Sequence, residues 1–285
     1  MTQEEIHKHI LWGAATAAYQ VEGAAFCDGK GKNSWDEYYE INDIGYDGTV
    51  AVDHYHHVAE DLKLFHEIGL QTYRFSVSWS RILPDGTGEV NPKGLEFYDF
   101  IVDTLNKYGI EPYLTLYHWD LPLPLLEKGG WLNPEVIDDY LNYCRILFEH
   151  FRGRVRIWGT INEPASEVIE GYIQGTHPPQ EKNYAHAFQV SHHYNLASAS
   201  AIKLFREMGM EGKIGIVLNP MPVDVLEETP DNLKARDTAY DFLSDWYLCP
   251  ALTGHYPEKM LEYCQKTYGS PKIKDTDYRD RKSVV

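Results

Sequence analysis

Arg156-Ile-Trp-Gly-Thr-Ile161, running straight into Asn162-Glu163-Pro164, is the stretch on which the fold turns. It is a short apolar run with β-branched and aromatic residues, the pattern of a buried strand. Its end changes character abruptly: an amide, a carboxylate, then a proline that cannot continue a hydrogen-bonded ladder. Just before it, residues 134–151 place Ile137, Tyr140, Leu141, Cys144 and Leu147 on one stripe at helical spacing. Just after it, residues 184–208 read as a long alanine-rich helix that leads into another apolar run, 213–218. The repeating unit is therefore a strand, a loop and a helix.

The same unit recurs toward the N-terminus. Residues 10–15 predict a first strand, and 52–68 a helix with Val58, Leu62, Phe65 and Ile68 inward, stopped by Gly69. Residues 71–77 predict a second strand. Pro92 opens a helix with Leu95, Phe97, Phe100, Ile101 and Leu105 inward, closed by Gly109, and 111–117 predicts a third strand. Beyond the fifth strand, 239–247 and 257–268 predict helices, with the acidic stretch 224–231 as a solvated loop.

Strands alternating with helices imply an α/β protein with a parallel sheet. Closed on itself, the pattern is the (β/α)8 TIM barrel; left open, it is a doubly wound sheet. No Gly-x-Gly-x-x-Gly follows any strand, which favours the barrel. Five strands are accounted for by Leu218 and no sixth apolar strand follows. The expectation is thus a single domain over 1–285, an incomplete barrel with about five of eight strands. Tyr278-Arg-Asp-Arg-Lys-Ser-Val-Val285 then reads as a cut end.

Composition bounds the function. The 285 residues carry 43 acidic and 26 basic side chains, a formal charge of −17. That balance opposes binding to nucleic acid or an anionic membrane. Cys27, Cys144, Cys249 and Cys264 are widely scattered, which fits reduced thiols better than a zinc or redox site. The opening residues lack the basic flank and apolar core of a signal peptide, and no apolar run approaches the ~18 residues of a membrane span. The expected compartment is the cytoplasm. His54, His56 and His57 do not share one helix face with a carboxylate set, so no metal is expected. No cofactor motif is present.

In a β/α barrel the reactive groups stand at the C-terminal strand ends. Those ends here carry Gln20 (next to Tyr19), Arg74, His118-Trp119, Asn162-Glu163 and Asn219. Glu163 at the rim of an apolar interior suits a general acid, because desolvation keeps a carboxyl protonated. It equally suits an anionic cap on the next helix. His118-Trp119 offers a hydrogen-bonding ring beside an aromatic face, which suits a sugar; it also suits a core tryptophan beside a backbone-bonded histidine. Arg74, between Tyr73 and Phe75, needs an anionic partner, either a catalytic carboxylate or a structural one.

Leu11-Trp-Gly-Ala-Ala-Thr-Ala-Ala-Tyr-Gln-Val-Glu-Gly-Ala24, Tyr73-Arg-Phe-Ser-Val-Ser-Trp-Ser-Arg-Ile82, Tyr117-His-Trp-Asp-Leu-Pro122 and Thr160-Ile-Asn-Glu-Pro164 together resemble the signatures of family 1 glycoside hydrolases, as does Glu127-Lys-Gly-Gly-Trp131. The resemblance runs from about residue 10 to about residue 273. It implies a retaining β-glucosidase acting on oligosaccharides or aryl glucosides, with Glu163 as acid/base and Arg74 keeping the nucleophile ionised. It also implies that Gln20, His118, Trp119 and Asn162 hold the sugar, Asn162 at its 2-hydroxyl, and that Asn219 lies near the aglycone. The sequence departs from the family in lacking the Thr-Glu-Asn-Gly string that carries the nucleophile, and in placing Ala165 where many relatives have a bulkier aromatic residue. A 6-phospho-β-glucosidase and a non-catalytic sugar-binding remnant are the competing readings. The partners in view are the glycoside, a second copy of the chain, and a complementing C-terminal fragment.

Overall fold

The structure, a computed structural model, describes residues 10–45 and 47–277. The opening eight residues and the basic run after Asp277, both used above, lie outside them. The first half of the chain forms β1 (Gly13–Ala15), α1 (Ala18–Val21), α2 (Ser34–Asn42), α3 (His54–Glu67), β2 (Thr72–Ser76), α4 (Trp79–Ile82) and α5 (Pro92–Tyr108). There follow β3 (Glu111–Tyr117), α6 (Leu123–Glu127), α7 (Val136–His150), β4 (Ile157–Asn162) and α8 (Pro164–Val168), the last extended by a π-turn over Ile169–Gln174. Finally come α9 (Tyr184–Glu207), β5 (Lys213–Val217), α10 (Pro230–Tyr240), α11 (Trp246–Thr253) and α12 (Glu258–Tyr268).

All pairings are parallel and the strand order is β1-β2-β3-β4-β5, with no reversal. A doubly wound sheet reverses direction at a switch point. A sheet wound one way, with right-handed crossovers, collects its helices on one face and leaves the other for a barrel interior. The five strands are part of a (β/α)8 barrel.

The outer face carries the core. Phe75 stacks with Tyr98 of α5, and Trp158 meets Phe148 of α7 and Phe205 of α9 edge-on. A second cluster gathers Phe188, Trp246, Tyr256, Met260 and Cys264 around the later helices. Helix ends follow local chemistry. The Asn91 side chain accepts from the Lys93 amide beside Pro92, and Gly109 ends α5 at φ 71°, a conformation cheap for glycine.

Several expectations are corrected. Phe100 and Ile68 point outward, at 45% and 63% exposed; Phe100 lies off the stripe that meets the sheet, and Ile68 falls beyond the last turn of α3. Residues 10–12 are not strand, and all of β1 is exposed, because β1 pairs on one side only. The acidic stretch gives way to α10 at Pro230, where the Thr229 hydroxyl accepts from the Asn232 amide. Apart from these corrections, on α3 His54 lies 2.6 Å from Asp61, while Asp53 faces both His56, at 2.5 Å, and His57, at 3.6 Å, with Glu60 3.3 Å from His57.

Candidate active site

The middle of the sheet brings four of the singled-out residues together. Arg74, on β2, donates through Nη2 to Asn162 Oδ1 and through Nε to Thr115 Oγ1 at 2.9 Å. Its guanidinium lies 5.6 Å from the centre of the Tyr113 ring. The amide of Asn162 donates onward to His118 Nε2 at 2.9 Å, and Trp119 Nε1 donates to the Asn162 carbonyl at 2.7 Å. Three strand ends are thus tied through one asparagine.

The backbone explains how Asn162 reaches them. β4 pairs with β5 in register at Gly159–Gly215, but Asn162 then pairs with Val217, so β4 holds one extra residue. Such a bulge re-aims the side chains beyond it. Gly159 is required just before it: a Cβ there would stand 2.9 Å from Val217 Cγ2 and 3.3 Å from Thr115 Oγ1. Glu163 follows at φ 41° and Trp119 sits at φ 72°. Left-handed backbone at a bulky residue costs about 1–3 kcal/mol and persists only where the surroundings impose it. For Glu163 these are the amide bond to the Val217 carbonyl at 2.8 Å and Pro164, which opens α8.

The electrostatics follow from burial. Desolvation first, and the Arg74 charge second, push the His118 imidazole down to about 3, so it is neutral. Because its Nε2 accepts from Asn162, the proton sits on Nδ1, which is buried and has no partner. Burial also draws the Arg74 guanidinium below its ordinary value, opposed by Tyr113 and Glu163. The carboxylate expected opposite Arg74 is absent among the described residues; neutral oxygens of Asn162 and Thr115 take its place. The Glu163 side chain is half-buried and accepts no hydrogen bond from them.

Asn219, just past β5, donates to Ser166 Oγ of α8 at 2.8 Å. Gln20 lies on α1, exposed, and lines a cavity of about 270 Å3 with His118 and Trp119. Glu167 had escaped notice. It is buried, accepts from the Tyr117 hydroxyl at 2.7 Å, and burial pushes its carboxyl up to about 7. Its i, i+4 spacing from Glu163 was the available signal. The neutral ring of His118, the indole of Trp119 and the amides of Asn162 and Gln20 can bind hydroxyls, and the Glu163 carboxyl next to Asn162 can deliver a proton; of these, Gln20, His118 and Trp119 line the cavity.

The family model for glycosyl hydrolase family 1 matches residues 2–284. The chain belongs to that family. β-Glucosidase A of Acetivibrio thermocellus is 43% identical over 270 residues, 93% of this chain and 60% of the relative. An aryl-phospho-β-D-glucosidase of Bacillus subtilis is 42% identical over 96% of this chain and 58% of its own length. Among solved structures, the family 1 β-glucosidase from Thermotoga maritima superimposes with a TM-score of 0.89 at 41% identity, over 96% of this chain and 62% of that one. The same enzyme in complex with castanospermine gives 0.88. The chain spans about three fifths of the length of these family members. Among the described residues no helix is long and apolar enough to cross a membrane.

Proposed function

We propose that this chain carries the acid/base half of a retaining β-glucosidase, with Glu163 as the proton donor. The reading is supported chiefly by the bonded set Arg74–Asn162–His118 with Trp119, which presents hydroxyl-binding groups directly beside Glu163. Glu163 protonates the leaving-group oxygen and then, as base, activates the water that releases the sugar. Asn162 strengthens its hold on the 2-hydroxyl as oxocarbenium character develops. Gln20, His118 and Trp119 hold the glycone, and Asn219 faces the leaving group.

A retaining mechanism needs a second carboxylate about 5–5.5 Å away as nucleophile. Arg74 is the cation that keeps it ionised. That carboxylate comes from the part of the family's length this chain does not span, as a continuation or as a separate complementing fragment. The chain on its own is expected to be inactive on aryl β-glucosides.

The test is Glu163→Ala in a protein of full family length. Turnover of glucosides with poor leaving groups should fall by about 10²–10⁴-fold, the worth of general acid catalysis. Activated aryl glucosides should be hit far less, and azide should be captured as a β-glycosyl azide. Equal losses on all substrates, with no azide product, make Glu163 structural. The relatives also include a 6-phospho-β-glucosidase of Bacillus subtilis at 40% identity, which favours phosphorylated glucosides as a second reading. Comparing kcat/KM for an aryl glucoside and its 6-phosphate separates the two.

A further inference from the structure

Glu167 stands four residues past Glu163 on α8, and the first turn of that helix grows directly from the Glu163 backbone. The Glu163 carbonyl accepts from the Ser166 amide at 3.0 Å and from the Glu167 amide at 3.4 Å. α8 has only five residues, so its placement depends on what ties it down. Among the described residues, two side-chain hydrogen bonds join it to the strand ends. Asn219, past β5, donates to Ser166, and the Tyr117 hydroxyl of β3 donates to Glu167 Oε1 at 2.7 Å. The first tie belongs to an edge strand and the second to the buried middle of the sheet. Tyr117 also stands immediately before His118 and Trp119.

The second tie is costly to keep. Glu167 is buried beside Tyr117 and Tyr194, whose rings close on Trp131 with centroids 5.2 Å and 4.7 Å from it. Its Oε2 is buried without a partner, and the desolvation pushes the carboxyl up to about 7. An unsatisfied buried oxygen costs about 1–3 kcal/mol, whereas replacing both members of a buried bonded pair by apolar groups is often neutral. Phenylalanine and leucine at positions 117 and 167 would fill this space with no polar atom to satisfy. Packing alone therefore does not account for the carboxyl. What it supplies, and a leucine cannot, is a directional bond from α8 to the end of β3.

What that bond controls follows from the backbone around it. Glu163 is held in left-handed geometry at φ 41°, a conformation that persists only under constraint. Its amide is bonded to the Val217 carbonyl of β5, and its carbonyl to α8. Among the described residues β5 is an edge strand, so the tie to β3 carries the alignment with His118 and Trp119. We propose that Glu167 is a positioning residue: through Tyr117 it sets the first turn of α8, and with it the Glu163 carboxyl, against His118 and Trp119. Glu167 itself does not touch the sugar. A reacting group displaced by about 1 Å can lose about 10²-fold in rate, so the effect falls on proton delivery rather than on sugar binding. The inference rests on the reading of Glu163 as the proton donor.

The experiment has two arms. In the 285-residue chain, NMR follows the Glu163 amide and the Trp119 indole N–H, which report the two sides of the alignment. Glu167→Leu and, separately, Tyr117→Phe should move both signals in the same direction, and the double variant should move them no further. Glu167→Gln keeps an acceptor for Tyr117 and should leave them near their original positions. In a protein of full family length, Glu167→Leu should lower kcat for glucosides with poor leaving groups by about 10–100-fold. KM and the turnover of activated aryl glucosides should hold, and Glu167→Gln should recover most of the loss. If the leucine variant does not fold, Tyr117→Phe and Glu167→Gln decide the outcome. Unmoved signals, additive shifts in the double variant, a glutamine as disruptive as leucine, or equal losses on all glucosides overturns the proposal. Absence of leaving-group dependence in Glu163→Ala refutes the proton donor instead; the NMR arm needs no turnover and still decides whether Glu167 sets the position of residue 163.

Discussion

β3 and β5 are both short apolar parallel strands, yet their surroundings differ completely. From Leu114 to Tyr117 every residue of β3 is buried, whereas no residue of β5 is. β3 is hydrogen-bonded on both sides, to β2 and β4; among the described residues β5 has β4 alone. The side chains of Ile214, Ile216 and Val217 are no more polar than those of β3. Apolar content in a strand states a demand for cover, and only neighbours decide whether it is met. The candidate site follows the same division. His118, Asn162 and Arg74 interlock where the sheet has neighbours, while Gln20 and Asn219 stand after the two edge strands.

The largest expected effect tests that contrast directly. Leu114→Ala on β3 should cost about 2–5 kcal/mol, the usual loss for a fully buried leucine. Ile214→Ala on half-buried β5 should cost less than about 1 kcal/mol, since little cavity is created. Urea unfolding of both variants checks this. Similar losses would mean that β5 is covered in solution, by another copy or another segment.

A smaller effect concerns the interlocked side. Arg74→Met leaves the oxygens of Asn162 and Thr115 without their donor and should cost about 1–3 kcal/mol. It should also raise the His118 pKa from about 3, because Arg74 is one cause of its depression. The value should stay below 6.5, since burial is the larger cause. NMR titration of the imidazole reads this. No change would mean that Arg74 and His118 are not neighbours in solution.

The smallest effect is a slope. Burial lifts the Glu167 carboxyl from 4.5 to about 7, so the folded state keeps a proton that the unfolded chain releases earlier. That contribution is complete below pH 4.5 and is lost as pH rises through 7. Glu167→Gln, which mimics the neutral acid, should flatten the fall in Tm across this window. An unchanged slope would assign the pH dependence to another buried acid, such as Asp120, which burial pushes up to about 8.

Much of this was legible in the sequence, for physical reasons that differ by element. β2, β3 and β4 were readable within a residue or so because buried strands need unbroken apolar runs, and α5 because Pro92 and Gly109 punctuate it. α2 was missed although Asn33 and Asp36 form a reciprocal cap at its start, a local signal that was there to be read. α10 was missed because its outward-facing sequence, with no buried residue, lacks an apolar stripe. The places of His118 just after β3 and of Asn162 and Glu163 at the end of β4 were readable from the order of strands and helices, whereas Gln20 lies on α1 and Arg74 in the middle of β2. Their bonding was not: nothing local in Asn162 says that its amide bridges β2 and β3. Nor does a tryptophan or a glutamate announce left-handed backbone, or Tyr19 its place beside Trp35 and Tyr39.

The single extra residue in β4 constrains how this segment can change over time. Side chains on a strand alternate, so adding or deleting one residue between Gly159 and Asn162 would exchange inside for outside. The amide would then occupy the carboxyl's direction and the carboxyl the amide's. Paired changes restore the alternation but lengthen or shorten the strand end by a full step, displacing the carboxyl along the barrel axis. Length here is not negotiable, and at Gly159 neither is the residue. This short segment should therefore hold its residue count through lineages in which the loops around it grow and shrink freely.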